Sequence, residues 1–202
     1  MKFLKVNLNK ILPADIKYIA DSLNKGEVVV LPTDTIYGLS CLASCEKAIK
    51  RIKLLKGNDS KKPLSVLVSD IKMLKKYVLL SKGQEERLQN IWLKKLRPTT
   101  VILKHRLKLP KALTGKSDGL AARLPKLDFL IKILEEVKQP IVSTSLNLTG
   151  REAINNPKDI SKFFPLKGKQ PDLVVDAGVC RRSKASAILD LRGNLNPEVI
   201  RK

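Results

Sequence analysis

Three stretches of the sequence concentrate the side chains that can do chemistry. In Leu31-Pro32-Thr33-Asp34-Thr35-Ile36-Tyr37-Gly38-Leu39 a buried-looking apolar run gives way to a polar turn. Strand ends of open α/β sheets are where small polar ligands bind, so the hydroxyls of Thr33 and Thr35 can face a substrate. The stretch from Lys53 to Val68 sets Lys56, Lys61 and Lys62 between a helical pattern and an apolar run. Ammonium groups placed so can converge on phosphate oxygens, although the Gly-x-x-x-x-Gly-Lys spacing of a P-loop is missing. From Pro140 to Arg151, Ser143, Ser145 and Asn147 offer donors and acceptors for a nucleotide, and Arg151 adds charge. Taken singly, each stretch reads equally well as turn, cap or solvated lysine run.

The elements that must hold these stretches follow from periodicity. Pro13 to Lys25 is an expected helix, with Ile16, Ile19, Ala20 and Leu23 on one face and Gly26 beyond its end. Glu27 to Leu31 is short, β-branched and apolar, as in a strand buried on both faces. Further helices are expected from Cys45 to Lys56, after the caps Ser69 and Asp70, from Gln84 to Lys95, and from Leu127 to Lys138. Strands are expected at Leu64–Val68, Thr100–Leu103, Leu120–Arg123, Ile141–Ser143, Leu173–Val175, Ala187–Leu191 and Glu198–Arg201. Phe164 to Pro171 reads as a loose surface loop. Alternation of the two kinds of element predicts one layered α/β domain over residues 1–202, built on a mixed sheet.

Composition narrows the class. With 43% hydrophobic and 29% charged residues the chain belongs with folded globular proteins rather than disordered ones. A formal charge of +21, from 40 Lys plus Arg against 19 Asp plus Glu, favours polyanionic partners, while lysines scattered for solubility explain it equally well. Cys41, Cys45 and Cys180 fit neither a disulfide framework nor a zinc motif, so buried free thiols in a reducing compartment are expected. The start, MKFLKVNLNK, has no continuous apolar run, and no later run approaches the roughly 18 residues of a membrane span. The expected location is the cytoplasm, without membrane contact.

Read in order, PTDTIYGL, LKGNDSKKPLSVLV, AARLP and PIVSTSLNLTG resemble the YrdC/Sua5 family of threonylcarbamoyl-AMP synthases, from about Lys25 to Arg201. The resemblance implies a twisted mixed sheet with flanking helices and an open basic concavity. It implies an enzyme that combines L-threonine, bicarbonate and ATP with Mg²⁺ and releases pyrophosphate. Other tRNA threonylcarbamoylation proteins then use the adenylate, and tRNA is a candidate partner. No resident metal is implied.

By position, Thr35 takes the threonine hydroxyl and Arg123 of AARLP the amino-acid carboxylate. Lys56 and Lys62 are the catalytic cations, with Lys61 beside them on phosphate. Ser143, Ser145, Asn147 and Arg151 match the nucleotide-facing segment, Ser186 the Ser of the family's Ser-Thr-Ile/Val motif, and Arg201 a nucleotide-contacting arginine. His105 lies outside every motif and reads as a surface residue. Three positions depart from the pattern. Asn58 stands where Arg is common, Leu96-Arg97-Pro98-Thr99-Thr100 replaces a Pro-Gly-Pro-x-Thr turn, and Ala187 stands for a usual Thr. The competing reading is an RNA-binding module that holds double-stranded RNA or tRNA in the basic concavity without catalysis. A carbamoyl-adenylate domain of the HypF type is a third, ordinarily embedded in a much longer chain.

Overall fold

The computed structural model describes residues 1–57, 63–94, 97–148, 152–164, 169–180, 185–193 and 197–201. Its strands are β1 (Lys2–Lys5), β2 (Val29–Leu31), β3 (Gly38–Leu42), β4 (Ser65–Leu67), β5 (Thr99–Lys104), β6 (Gly119–Arg123), β7 (Ile141–Ser145), β8 (Leu173–Asp176), β9 (Ala187–Asp190) and β10 (Glu198–Arg201). Its helices are α1 (Pro13–Asn24), α2 (Glu46–Leu55), α3 (Ile71–Lys75), α4 (Lys82–Gln89), α5 (Lys111–Thr114), α6 (Asp128–Val137) and α7 (Ile160–Phe163). The strands form one sheet in the order β1-β8-β2-β3-β7-β4-β6-β5-β9-β10. Four neighbouring pairs, β1·β8, β2·β8, β4·β6 and β5·β9, run parallel and the others antiparallel.

Two helices cover part of one face. Pro13 opens α1 at its first turn, where a missing N–H costs nothing. Ile16, Ile19 and Leu23 of α1 then pack with Phe129, Leu130, Ile133 and Leu134 of α6 against Val29, Leu31, Leu67, Ile141 and Leu173. The opposite face is closed by Ala48, Ile49 and Ile52 of α2, with Leu88 and Trp92, against Val30, Leu39, Cys41, Val66, Val101, Ala122 and Val142. Each Val, Leu, Ile or Phe among them contributes about 1.5–3 kcal/mol by leaving water, and the two layers fix which way every intervening side chain points.

Several expectations need correction. β3 is an addition to the expected strands: GLSCL carries no alternation because all five residues are buried, as suits a strand covered on both sides. β1 is another, since this edge strand is largely exposed and carries little apolar signal. The helix expected from Gln84 begins at Lys82 after a Ser81–Gln84 capping box and runs on as a π turn, Asn90–Lys94, which brings Trp92 Nε1 within 3.0 Å of the Thr99 carbonyl. Of the segment expected to be a loose loop, Phe164 and Pro171 at its ends are buried, and residues 165–168 lie outside the described residues. His105 is half-buried rather than a surface residue: the Leu107 N–H donates to Nδ1 at 3.1 Å, so Nε2–H donates to the Ser117 carbonyl at 3.1 Å. Of the three thiols only Cys41 is buried, and Cys45 and Cys180 are half-buried.

Candidate active site

Strand register puts a polar strip on the same sheet face as α1 and α6, in the part that those two helices leave uncovered. Leu67 pairs with both Ile141 and Arg123, and Ser65 with Ala121. Alternation therefore aligns Ser143 and Ser145 of β7, Ser65 of β4, Ala121 and Arg123 of β6, Thr100 of β5 and Ile188 of β9 on one side of the sheet. They line a cavity of about 390 Å³, completed by Thr33, Thr35 and Gly38 at one end and by Ser186 and Arg201 at the other. That size suits a small molecule.

At the first end, one hydroxyl closes the turn that follows β2. Thr33 Oγ1 donates to the Ile36 carbonyl at 2.6 Å and accepts the N–H groups of Thr35 at 3.1 Å and Ile36 at 3.2 Å. With that single proton committed, the Thr35 hydroxyl is the donor in its 2.9 Å bond to Thr33 Oγ1, and Thr35 lines the cavity wall. Tyr37 anchors the far side of the turn: its hydroxyl donates to the Gly178 carbonyl at 2.8 Å and accepts the Ala177 N–H at 3.0 Å. Burial pushes this phenol well above its ordinary value, so it stays a neutral strut. Gly38 needs its missing side chain, since a Cβ there would come within 2.8 Å of Ser143 Oγ.

Arg123 lines the cavity at the end of β6, and its guanidinium Nη1 is paired with Asp34 Oδ1. These side chains are only 7% and 8% exposed. Sequence reasoning gave Asp34 no role, because an aspartate in a turn is ordinary and its partner lies 89 positions away. At the opposite end, Ser186 Oγ stands 2.9 Å from Thr100 Oγ1, while Arg201 Nε donates to the Ser186 carbonyl at 2.9 Å. Thr100, from the departing turn motif, thus enters the wall unannounced, as does Ser65, whose hydroxyl donates to the Ser143 carbonyl at 2.9 Å.

Lys56 stands beside the cavity and is held by protein oxygens. It follows α2, is absent from the cavity wall, and donates to the Ser145 carbonyl at 2.8 Å, the Asn147 carbonyl at 3.2 Å and Asn147 Oδ1 at 2.7 Å. With Ser145 Oγ also 3.5 Å away, its three protons are taken up by the three nearer oxygens, so a phosphate must displace one of them to be bound. The same Asn147 Oδ1 accepts the Ser145 hydroxyl at 2.6 Å, which fastens the residues after β7 into one knot. Burial lowers the Lys56 ammonium to about 8, still mostly protonated at neutral pH. Lys61, Lys62 and Arg151 lie outside the described residues, as does Asn58. Among the described wall residues the cations are Arg123, already paired, and Arg201.

The comparisons fit this arrangement. A family model covering Sua5, YciO and YrdC, described as "Telomere recombination", matches residues 21–202. The chain belongs to the Sua5/YciO/YrdC family. The Threonylcarbamoyl-AMP synthase of Klebsiella pneumoniae is 31% identical over 193 residues, covering 93% of this chain and 98% of that one. The protein of the same name from Pyrococcus abyssi is 29% identical over 179 residues, and the match covers 87% of this chain but 50% of that longer one. The crystal structure of P. abyssi Sua5 complexed with L-threonine superposes with a TM-score of 0.84 at 27% identity, over 95% of this chain and 54% of that chain. E. coli YciO gives 0.86 at 26% identity over 100% and 96% of the two chains. HypF structures share the fold at 23% identity or less.

Within this Sua5/YciO/YrdC frame, Thr35, Arg123, Ser143, Ser145, Ser186 and Arg201 from the sequence motifs share the one cavity, whereas Lys56 and Asn147 stand behind its wall. Among the described residues no three carboxylate, thiol or imidazole groups converge to hold a metal. No helix among the described residues is long and apolar enough to cross a membrane.

Proposed function

We propose that this chain is a threonylcarbamoyl-AMP synthase, joining L-threonine, bicarbonate and MgATP into an adenylate with release of pyrophosphate. The observation that carries the reading is the convergence of all four sequence motifs on one polar strip, with an arginine beside a turn of threonine hydroxyls. Arg123 receives the amino-acid carboxylate and Thr35 accepts the substrate hydroxyl. The amine of threonine attacks the carbon of bicarbonate, forming an N–C bond as a C–O bond breaks and water leaves, and an oxygen of the resulting carbamate attacks the α-phosphorus of ATP. The P–O bond to pyrophosphate breaks, and negative charge grows on oxygens that cations must meet. Ser186 and Arg201 line the opposite end, toward the nucleotide, and Ser143 and Ser145 of β7, beside Gly38, complete the nucleotide-facing wall. Lys61, Lys62 and Arg151 supply phosphate contacts, and Lys56 does so by exchanging one of its three oxygens.

No side-chain nucleophile is needed, in keeping with a wall made of hydroxyls and arginines. The product serves other tRNA threonylcarbamoylation proteins, which places the work in the cytoplasm. The cavity of about 390 Å³ favours this reading over an RNA-binding module, whose contacts would spread over a surface. Incubating the protein with labelled bicarbonate, threonine and MgATP tests it. Label should appear in an adenylate only when all three are present, and its absence would return the RNA-binding reading to first place.

A further inference from the structure

Asp34 sits inside the Thr33–Tyr37 turn and has no part in the chemistry so far. Its two oxygens join two elements: Oδ1 takes Nη1 of Arg123, and Oδ2 accepts the backbone N–H of Lys126 at 3.1 Å. Arg123 ends β6, and Lys126 lies just before α6. With side chains 7% and 8% exposed, water competes little for this pair, and a lone guanidinium beside Leu67 and Ile188 would be costly to bury. A guanidinium offers five N–H groups in one plane. One is held by Asp34, and among the described residues the others have no protein partner, while Arg123 lines the cavity. A carboxylate on one corner of that plane fixes where the remaining donors point.

We propose that Asp34 is a positioning residue for the amino-acid end of the site: through Arg123 and Lys126 it locks the carboxylate clamp at a fixed distance and orientation from Thr35. The inference rests on the reading that Arg123 receives the substrate carboxylate. It adds that discrimination for threonine depends on Asp34, because the carboxylate and the hydroxyl of threonine are measured against one rigid unit made from the two chain segments that Asp34 joins. An asparagine in its place would keep the shape and one acceptor but would lose the charge that orients the guanidinium.

Calorimetric titration of L-threonine and of MgATP into the full chain tests this, with Asp34→Asn, Arg123→Ala, the double variant and a thermal melt of each. Asp34→Asn should weaken threonine about tenfold or more, the scale of a lost charged hydrogen bond, and leave nucleotide affinity within about twofold. Because Asp34 acts through Arg123, the double variant should bind threonine no more weakly than Arg123→Ala alone. Unchanged threonine affinity in Asp34→Asn would overturn the proposal. So would losses that multiply in the double variant, which would put Asp34 directly on the substrate, or equal weakening of threonine and nucleotide. Should Asp34→Asn fail to fold, Asp34→Glu keeps the charge but displaces it, and full retention of threonine affinity there would overturn the proposal too. An unsubstituted chain that binds nucleotide but no threonine would instead remove the functional reading, and this inference with it.

Discussion

At the scale of single residues, charge and proton inventories decide the roles. Arg123→Ala should raise the threonine requirement far more than the ATP requirement, by about 1.5–3 kcal/mol or roughly 10–150-fold, measured as KM for each substrate. Equal weakening of both would detach Arg123 from the amino acid. Lys56 gives a pH signature. All three of its bonds need the ammonium form, and burial lowers that group to about 8, so activity should fall as pH rises through 8. Stability should not fall with it. A lysine whose folded value lies below its unfolded one makes the unfolded chain hold more proton between the two, so its contribution to stability rises with pH there. A pH profile of kcat/KM for ATP beside thermal melts separates these effects. Lys56→Arg should lose the limb near 8.

At the scale of elements, the site depends on how closely β3 and β7 can approach. Gly38→Ala would set a Cβ 2.8 Å from Ser143 Oγ and 3.3 Å from the Thr144 carbonyl, a clash expected to cost about 1–3 kcal/mol. Thermal melts should show that loss, and Ser143→Ala in the same chain should return part of it. A Gly38→Ala protein as stable as the unsubstituted one would mean the strands separate at no cost. This tight pairing was illegible in the sequence, because a strand buried on both faces, with a glycine and a serine in it, shows neither alternation nor an unbroken apolar run. The helices were far easier to see. Pro13 and Asp70 mark two of their starts, and three- and four-residue spacing in α1, α2 and α6 marks their buried faces. Motif residues on strand ends were legible too, since Thr35, Arg123, Ser143 and Ser186 do line one cavity. Contacts made across the fold were not: the Lys56 knot spans 89 and 91 positions and the Asp34 pair 89, and no local pattern encodes either.

At the scale of the whole molecule, an excess of 21 positive charges draws a polyphosphate substrate from a distance and makes its capture sensitive to salt. Lys61 and Lys62 are the lysines expected to meet phosphate, close in sequence to Asn58, which stands where an arginine is common in the family. Lys61→Ala with Lys62→Ala should therefore raise the ATP requirement steeply, whereas Asn58→Arg should lower it and flatten its dependence on added salt, since an arginine fork fixes two oxygens at once. Unchanged ATP dependence in the double alanine variant would move the phosphate contacts to Lys56, Arg151 and Arg201. On the proposed function the two ends of the cavity make a joint demand: an amino acid with a hydroxyl at Thr35 and Arg123, and a nucleotide toward Ser186 and Arg201, all of which line it. Pyrophosphate release from MgATP, measured with bicarbonate and with threonine, serine, valine or no amino acid, tests that demand most directly. Release should require both bicarbonate and amino acid and should be strongest with threonine. It should fall most with valine, which leaves the Thr35 acceptor unmatched. Release that is equal with valine and threonine, or that proceeds without an amino acid, would contradict the account.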